Sequence, residues 1–235
     1  MRGLNVATVT LIILFACAAS GRAGDLEGRW GLGAFGSYYA PLFKFRDMYD
    51  QGGKFGATVN YVARPKWIAE VEGHYARMSG GKLKEARFTF PADGLQYASD
   101  QADTRMFFTS VMVNWLHTLG TGVWETKGAP YAIFGAGFNY YDSRVSGLVW
   151  AGQSPPPSKH PDLTKIMETT HDKSVAVAFS GGLGYQHFMA RNTALDLRVR
   201  YNLVLGELRP FAMWGVNRSY PFHLFDLGLG LRFFM

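Results

Sequence analysis

Seven charged residues fall at even spacings within otherwise apolar or small-residue segments: Glu70 and Glu72; Asp196, Arg198 and Arg200; Asp226 and Arg232. Even spacing puts side chains on one face of a β-strand. Two neighbouring acids could act as general acid and base, yet a glycosidase pair needs a substrate cleft between its carboxyls. Acids accompanied by guanidiniums favour ion pairing. Charges withdrawn from water must pair or keep water with them. Three readings follow: a salt-bridge network filling an interior, rings of charge lining a conductive pore, and catalysis.

Other chemistry finds less support. Gly31-Leu32-Gly33-Ala34-Phe35-Gly36 matches the glycine spacing of a dinucleotide site. That site needs a helix opening on the glycines, and Tyr39-Ala40-Pro41 follows instead. No cofactor is expected. The histidines at 74, 117, 160, 171, 187 and 223 share no ligand spacing such as H-x-x-x-H. His160 and His171 stand near Asp162 and Asp172, where solvation is the plainer reading, and no metal site is expected. Ser143, Ser146, Ser158 and Ser174 have no His-x-Ser pattern beside them, so a lipid-modifying enzyme is not indicated. No enzymatic activity is expected.

The elements that position these charges alternate with period two. In the C-terminal segment, Phe225, Leu227, Leu229, Leu231, Phe233 and Met235 share one face, and Asp226, Gly228, Gly230 and Arg232 share the other. Six more segments follow the same rule. Phe55 to Ala63 is apolar opposite Lys54, Gly56, Thr58 and Asn60, and Arg64-Pro65 makes the turn to the next. Trp67, Ala69, Val71 and Tyr75 lie opposite Glu70, Glu72 and His74. Phe107 to Trp115, Ala132 to Tyr140, Val175 to Tyr185 and Leu195 to Leu203 complete the six. A Gly-rich aromatic strand at Trp30 to Tyr39, ended by Pro41, makes eight, and its facing is ambiguous. Residues 79–103 and 143–173 read as long loops, a turn of moderate length spans 118–128, and another loop runs from about Gly206 to Pro221. Long and short connections alternate, and no helix-period segment appears after the N-terminal stretch. The expected fold is all-β: an eight-stranded antiparallel up-and-down transmembrane β-barrel, its apolar face toward lipid.

The N-terminus reads as a targeting segment. Arg2 precedes an apolar run from Val6 to Ala19, and Gly21-Arg22-Ala23 suits a signal peptidase. Cleavage is expected after Ala23, giving a signal peptide of residues 1–23 and a barrel domain of 24–235. The lone cysteine, Cys17, lies inside that segment after Phe15-Ala16, a poor lipidation signal. The mature chain then has no disulfide and no thiolate chemistry. Aromatics at 15% and charged residues at only 18% suit strands and interfacial belts better than a helical bundle. A mean hydropathy of −0.05 excludes a multi-helix membrane protein. Lys and Arg are scattered, so the +6 net charge gives no case for nucleic acid.

Four stretches, Pro130-Tyr131-Ala132-Ile133-Phe134-Gly135-Ala136-Gly137, Gly181-Gly182-Leu183-Gly184-Tyr185, Asn192 to Tyr201 and Gly228 to Phe233, together resemble the small outer-membrane β-barrel family, the OmpA-like and OmpX-like eight-stranded barrels. The resemblance covers essentially the whole mature chain. It implies a bacterial outer-membrane location and recognition by the outer-membrane assembly machinery through an aromatic on the last strand. This chain has Phe233 and Phe234 before a terminal Met235. Some relatives carry a peptidoglycan-binding domain after the barrel, and that tethering role is not expected here.

On this reading Trp67, Tyr75, Trp115, Tyr140, Tyr185, Tyr201 and Phe233 form interfacial girdles against outer-membrane lipids and lipopolysaccharide. The long loops at 79–103 and 143–173 become contact surfaces for a host or phage partner. Lys82, Lys84 and Arg87 could meet lipopolysaccharide phosphates. A monomer with a structural or surface-interaction role is expected. The alternatives are a narrow porin-like channel and a soluble lipocalin-like ligand binder with its aromatics inside.

Overall fold

The structure is a computed structural model that describes residues 26–120, 127–154, 160–216 and 218–235. The signal peptide expected at 1–23 lies outside the described residues. Among the described residues ten strands are present: β1 (Trp30–Leu42), β2 (Gly52–Arg64), β3 (Trp67–Ser79), β4 (Arg87–Thr89), β5 (Gln96–Ala98), β6 (Asp103–Thr118), β7 (Gly128–Ser146), β8 (Thr170–Ala190), β9 (Thr193–Val204) and β10 (Phe222–Phe234). Eight of them close a barrel in the order β1-β10-β9-β8-β7-β6-β3-β2. Every neighbouring pair is antiparallel, and β1 zips onto β10 from Gly31↔Phe234 to Leu42↔His223. Closure pairs every barrel strand on both sides, so the backbone groups of the wall are satisfied internally, and one-sided pairing is left to extensions at the long-loop end such as residues 40–42 of β1.

Period-two alternation accounts for the two faces. Leu229, Phe138, Val175 and Leu183 point outward, while Asn60, Glu70, Glu72, Arg200 and Asp226 are buried inside. The ambiguous strand β1 resolves in the same way, with Leu32 and Tyr38 outside and Phe35 and Tyr39 turned inward. Pro41 does not end this strand. It pairs with Leu224 beyond Tyr39↔Gly52, the last contact of β1 with β2, and proline is tolerated at such an open flank.

The long connections are more ordered than a loop reading implies. Region 79–103 holds a 3-10 turn at Lys82–Lys84 and the β4–β5 hairpin. Strands β7 and β8 run into the expected loop at 143–173, to Ser146 and from Thr170. A 3-10 turn at Ala212–Trp214 sits in the connection before β10. These segments fold over the long-loop mouth, where Leu83, Phe88, Phe90, Leu148, Phe211 and Trp214 pack onto the barrel residues Tyr39, Phe108, Tyr141 and Phe222. Their contacts join separate connections, so no local pattern announces them. A second apolar cluster closes the short-turn end with Leu26, Val62, Ile68, Leu116, Ile133, Phe188 and Phe234. The barrel interior therefore lies between an apolar cap and an apolar floor.

Candidate functional site

Between cap and floor the interior is ionic, and all seven charges singled out by spacing meet there. Arg198 on β9 holds Glu70 on β3 through two parallel bonds, Nη1 to Oε1 and Nη2 to Oε2, each 2.7 Å. Arg200, one inward step along β9, holds Glu72 in the same way at 2.5 and 3.1 Å. Its Nη2 also donates to Asp226 Oδ2 at 2.9 Å. Arg232 on β10 donates to Glu70 Oε2 at 2.8 Å and lies 3.4 Å from Asp196. Arg198 Nε is bonded to Asp196 on its own strand. Two-pronged guanidinium–carboxylate contacts are strong and directional, which suits them to bridging strands that share no ladder.

Residues outside the seven complete the cluster. Lys54 on β2 binds Asp226 and lies 3.6 Å from Glu72. Among the described residues it brings the cluster to four cations, Lys54, Arg198, Arg200 and Arg232, against four carboxylates, Glu70, Glu72, Asp196 and Asp226. Equal numbers let every charge find a counter-charge in a region too dry to solvate them. Asn114 on β6 donates to Glu70 at 3.0 Å and to Glu72 at 3.3 Å. Tyr131 on β7 donates to Asp196 at 2.5 Å. His74 Nδ1 is 2.8 Å from Glu72 Oε1. The Phe35 ring has Lys54, Arg198 and Arg200 at 5.4, 5.9 and 5.9 Å from its centroid, so its face meets cations and not carboxylates. Alternation had already placed Lys54 and His74 on the inner face, whereas β1 has aromatics on both parities and hid Phe35.

This packing is tight. A crevice among Ala34, Phe35, Thr58, Arg198 and Arg232 has no room for a water molecule. A larger hollow, about 480 Å³, lies among Val113, Trp115, Phe134, Ala136 and Phe179, whose side chains belong to the outer face. Among the described residues no cluster of His, Cys, Asp or Glu could hold a metal ion. The glycines of Gly31 to Gly36 lie in strand β1 with no helix opening on them.

The aromatic residues expected at the interfaces all project from the outer face. Trp67, Trp115, Tyr185 and Phe233 lie toward the short-turn ends of their strands, and Tyr75, Tyr140 and Tyr201 toward the long-loop ends. Trp67 and Tyr75 are eight residues apart on β3, about 26 Å at the usual strand rise. That separation suits an outward apolar band about 25 Å tall.

On the cap, loop residues form contacts of their own. Lys82 pairs with Asp47 at 2.5 Å, and Arg87 is exposed on β4. At the β4–β5 hairpin the Tyr97 hydroxyl donates to Asp93 at 2.6 Å, and His160 Nδ1 from the next long loop is 3.0 Å from both. Desolvation works to raise the Asp93 pKa. Bonds from the Tyr97 hydroxyl, the Leu95 N–H and His160 outweigh it and hold the carboxyl below the usual carboxylate range. The bond to Asp93 and then desolvation push the Tyr97 phenol up to about 12.

Comparison with known proteins agrees with this architecture. A major outer membrane protein from Thermus thermophilus matches at a TM-score of 0.52 and 8% identity, covering 88% of this chain and 99% of that one, and shares the fold. Neisserial surface protein A is similar at a TM-score of 0.47 and 14% identity, covering 87% of this chain and 96% of its own. Ail, the attachment invasion locus protein of Yersinia pestis, gives 0.45 and 16%, covering 88% and 99%. No curated protein matches the sequence. The family model for the outer membrane protein beta-barrel domain matches residues 9–233. A closed eight-stranded barrel, apolar outside and ion-paired within, therefore belongs to the outer membrane β-barrel family and is a protein of the bacterial outer membrane.

Proposed function

We propose that this protein is a non-conducting barrel that acts through its outer surface, in envelope integrity, adhesion or recognition. The reading contains no catalytic step. The observation that carries it is the double clasp of Arg198 on Glu70 and Arg200 on Glu72 across the bore, between an apolar cap and an apolar floor. An ion must break paired, desolvated charges to pass, whereas a selectivity ring leaves its charges open to the permeating ion. The folded cap presents side chains outward, including Leu95, Trp150 and Leu163, on the two long connections expected to meet a surface partner. Exposed apolar side chains on a rigid scaffold suit protein or glycan contact.

The test is planar-bilayer recording on the purified, refolded protein. No current steps are expected above the bare-bilayer background. Reproducible ohmic steps would favour the channel for small solutes. Heat-modifiable gel mobility in the same sample establishes that the barrel is folded when it is silent.

A further inference from the structure

The outer wall changes character on one side of the barrel only. Across four adjacent strands, Tyr75, Thr109, Tyr140 and Val175 are ladder neighbours on the outer face. One outward step toward the long-loop end, the row becomes Arg77, Phe107, Asp142 and Lys173. The next step gives Ser79, Arg105, Arg144 and His171. On the other four strands the last outward residues toward the long-loop end are Gly53, Leu42, His223 and Leu203, and none is Lys or Arg. The charged rows begin where the aromatic belt ends, at the depth of lipid headgroups.

The cations there outnumber their partners. Arg105 pairs with Asp103 at 2.7 Å, and Arg144 with Asp142 at 2.7 Å. Asp142 also has His171 at 3.6 Å and Lys173 at 4.0 Å, so one carboxylate faces three basic side chains. Counting Arg77, Arg105, Arg144 and Lys173 against Asp103 and Asp142 leaves two positive charges without His171. The Phe107 ring has the guanidiniums of Arg77 and Arg144 at 5.7 and 5.0 Å from its centroid. The basic side chains stay exposed, about half of Arg105, Arg144 and Lys173 remaining open. Arg144 spends Nε and Nη2 on Asp142 and keeps Nη1 as a further donor, and a guanidinium over a ring with donors to spare matches phosphate oxygens.

We infer that this face of β3, β6, β7 and β8 is a binding site for the phosphorylated headgroup of an outer-leaflet lipid. The site follows from the barrel's place in the membrane and does not depend on whether the bore conducts. Headgroup phosphates dock on Arg77, Arg105, Arg144 and Lys173, and the acyl chains run down the apolar wall below Tyr75 and Tyr140. The unequal strand lengths fit this role, because β6, β7 and β8 are the long strands and carry the patch past the belt.

The experiment measures binding of purified lipopolysaccharide to the refolded full-length barrel in detergent. The variant combines Arg105→Gln, Arg144→Gln and Lys173→Gln. A control combines Arg64→Gln, Lys66→Gln and Arg191→Gln at the short-turn end and removes the same charge. The first is expected to weaken binding about a hundredfold, at about fivefold for each basic residue near an anionic lipid surface. The control is expected to bind as the parent does. Dephosphorylated lipopolysaccharide should bind the parent as weakly as the first variant binds the intact lipid, and inorganic phosphate at matched concentration should not displace the lipid. Equal binding by parent and first variant, equal binding of dephosphorylated lipid, equal loss in the control, or displacement by inorganic phosphate overturns the inference. Gel mobility checks folding, and the single substitutions serve if the triple variant does not refold.

Discussion

Arg198 and Glu70 meet across the full width of the barrel. Their strands, β9 and β3, lie four places apart in either direction around the eight-stranded ring, and the two side chains are joined by a pair of 2.7 Å bonds. No ladder could hold these strands at a set distance, since neither touches the other through its backbone. The clasp is a strut through the bore, and Arg200 with Glu72 is a second strut beside it.

Removing one end of a strut is costlier than removing both. Arg198→Ala leaves Glu70 and Asp196 short of a counter-charge in a desolvated interior, with an expected loss of about 3–5 kcal/mol. The pair Arg198→Met with Glu70→Leu should recover most of that loss. Arg232 then keeps Asp196, 3.4 Å away, as its acid. Urea unfolding followed by tryptophan fluorescence checks this. An Arg198→Ala midpoint equal to the parent's would show that the clasp adds nothing to stability.

The struts need room, and glycine supplies it. A Cβ on Gly182 would lie 2.1 Å from the Val199 carbonyl and 3.0 Å from Arg200 Cγ. A Cβ on its neighbour Gly181, facing outward, meets nothing within 4 Å. Gly182→Val is therefore expected to abolish refolding, and Gly181→Ala to leave it intact. Both are read as the fraction of protein showing the fast-migrating band on unheated gels. Full refolding of Gly182→Val would mean that β8 and β9 can separate without loss.

Much of this was legible in the sequence because both faces of a membrane barrel repeat with period two. The apolar parity of β10 and β3 placed Glu70, Glu72, Asp226 and Arg232 inside without any structure. Lys54 stood on the right face but near the start of its strand, where a lysine ordinarily reaches solvent, so its bond to Asp226 across β1 was not evident. Phe35 was hidden by a strand with aromatics on both parities. The cap was illegible for another reason. The Phe88 and Trp214 rings pack at a tilt with centroids 6.0 Å apart although 126 positions separate them, and no short window holds both.

The cap hairpin should loosen at both extremes of pH. Asp93 is held below the usual carboxylate range, so its contribution is present above the unfolded value of about 4 and lost as the pH falls through the lower folded value. Tyr97 is pushed the other way, to about 12, so its bond is intact below the unfolded value of about 10 and lost as the pH rises from 10 to 12. Amide exchange at residues 87–98 is expected to show extra opening only outside those limits, after correction for the intrinsic rate. Asp93→Asn should remove the acid limb. An acid limb unchanged in that variant would place the switch elsewhere.

Lipid and water treat side chains of equal exposure in opposite ways. Leu229 on β10 is 54% exposed and Leu95 on the cap is 53% exposed, so in water either could become arginine at little cost. Leu229 lies midway along its strand, between the two aromatic belts, where arginine costs about 2–4 kcal/mol at the bilayer midplane. Leu95 lies beyond the barrel rim, where the change should stay within about 0.5 kcal/mol. Folding into phospholipid vesicles, titrated with urea, should show Leu229→Arg destabilised and Leu95→Arg unchanged. In a lipocalin-like protein both positions face water and the two variants would be alike, so equal urea midpoints would contradict a lipid-facing wall.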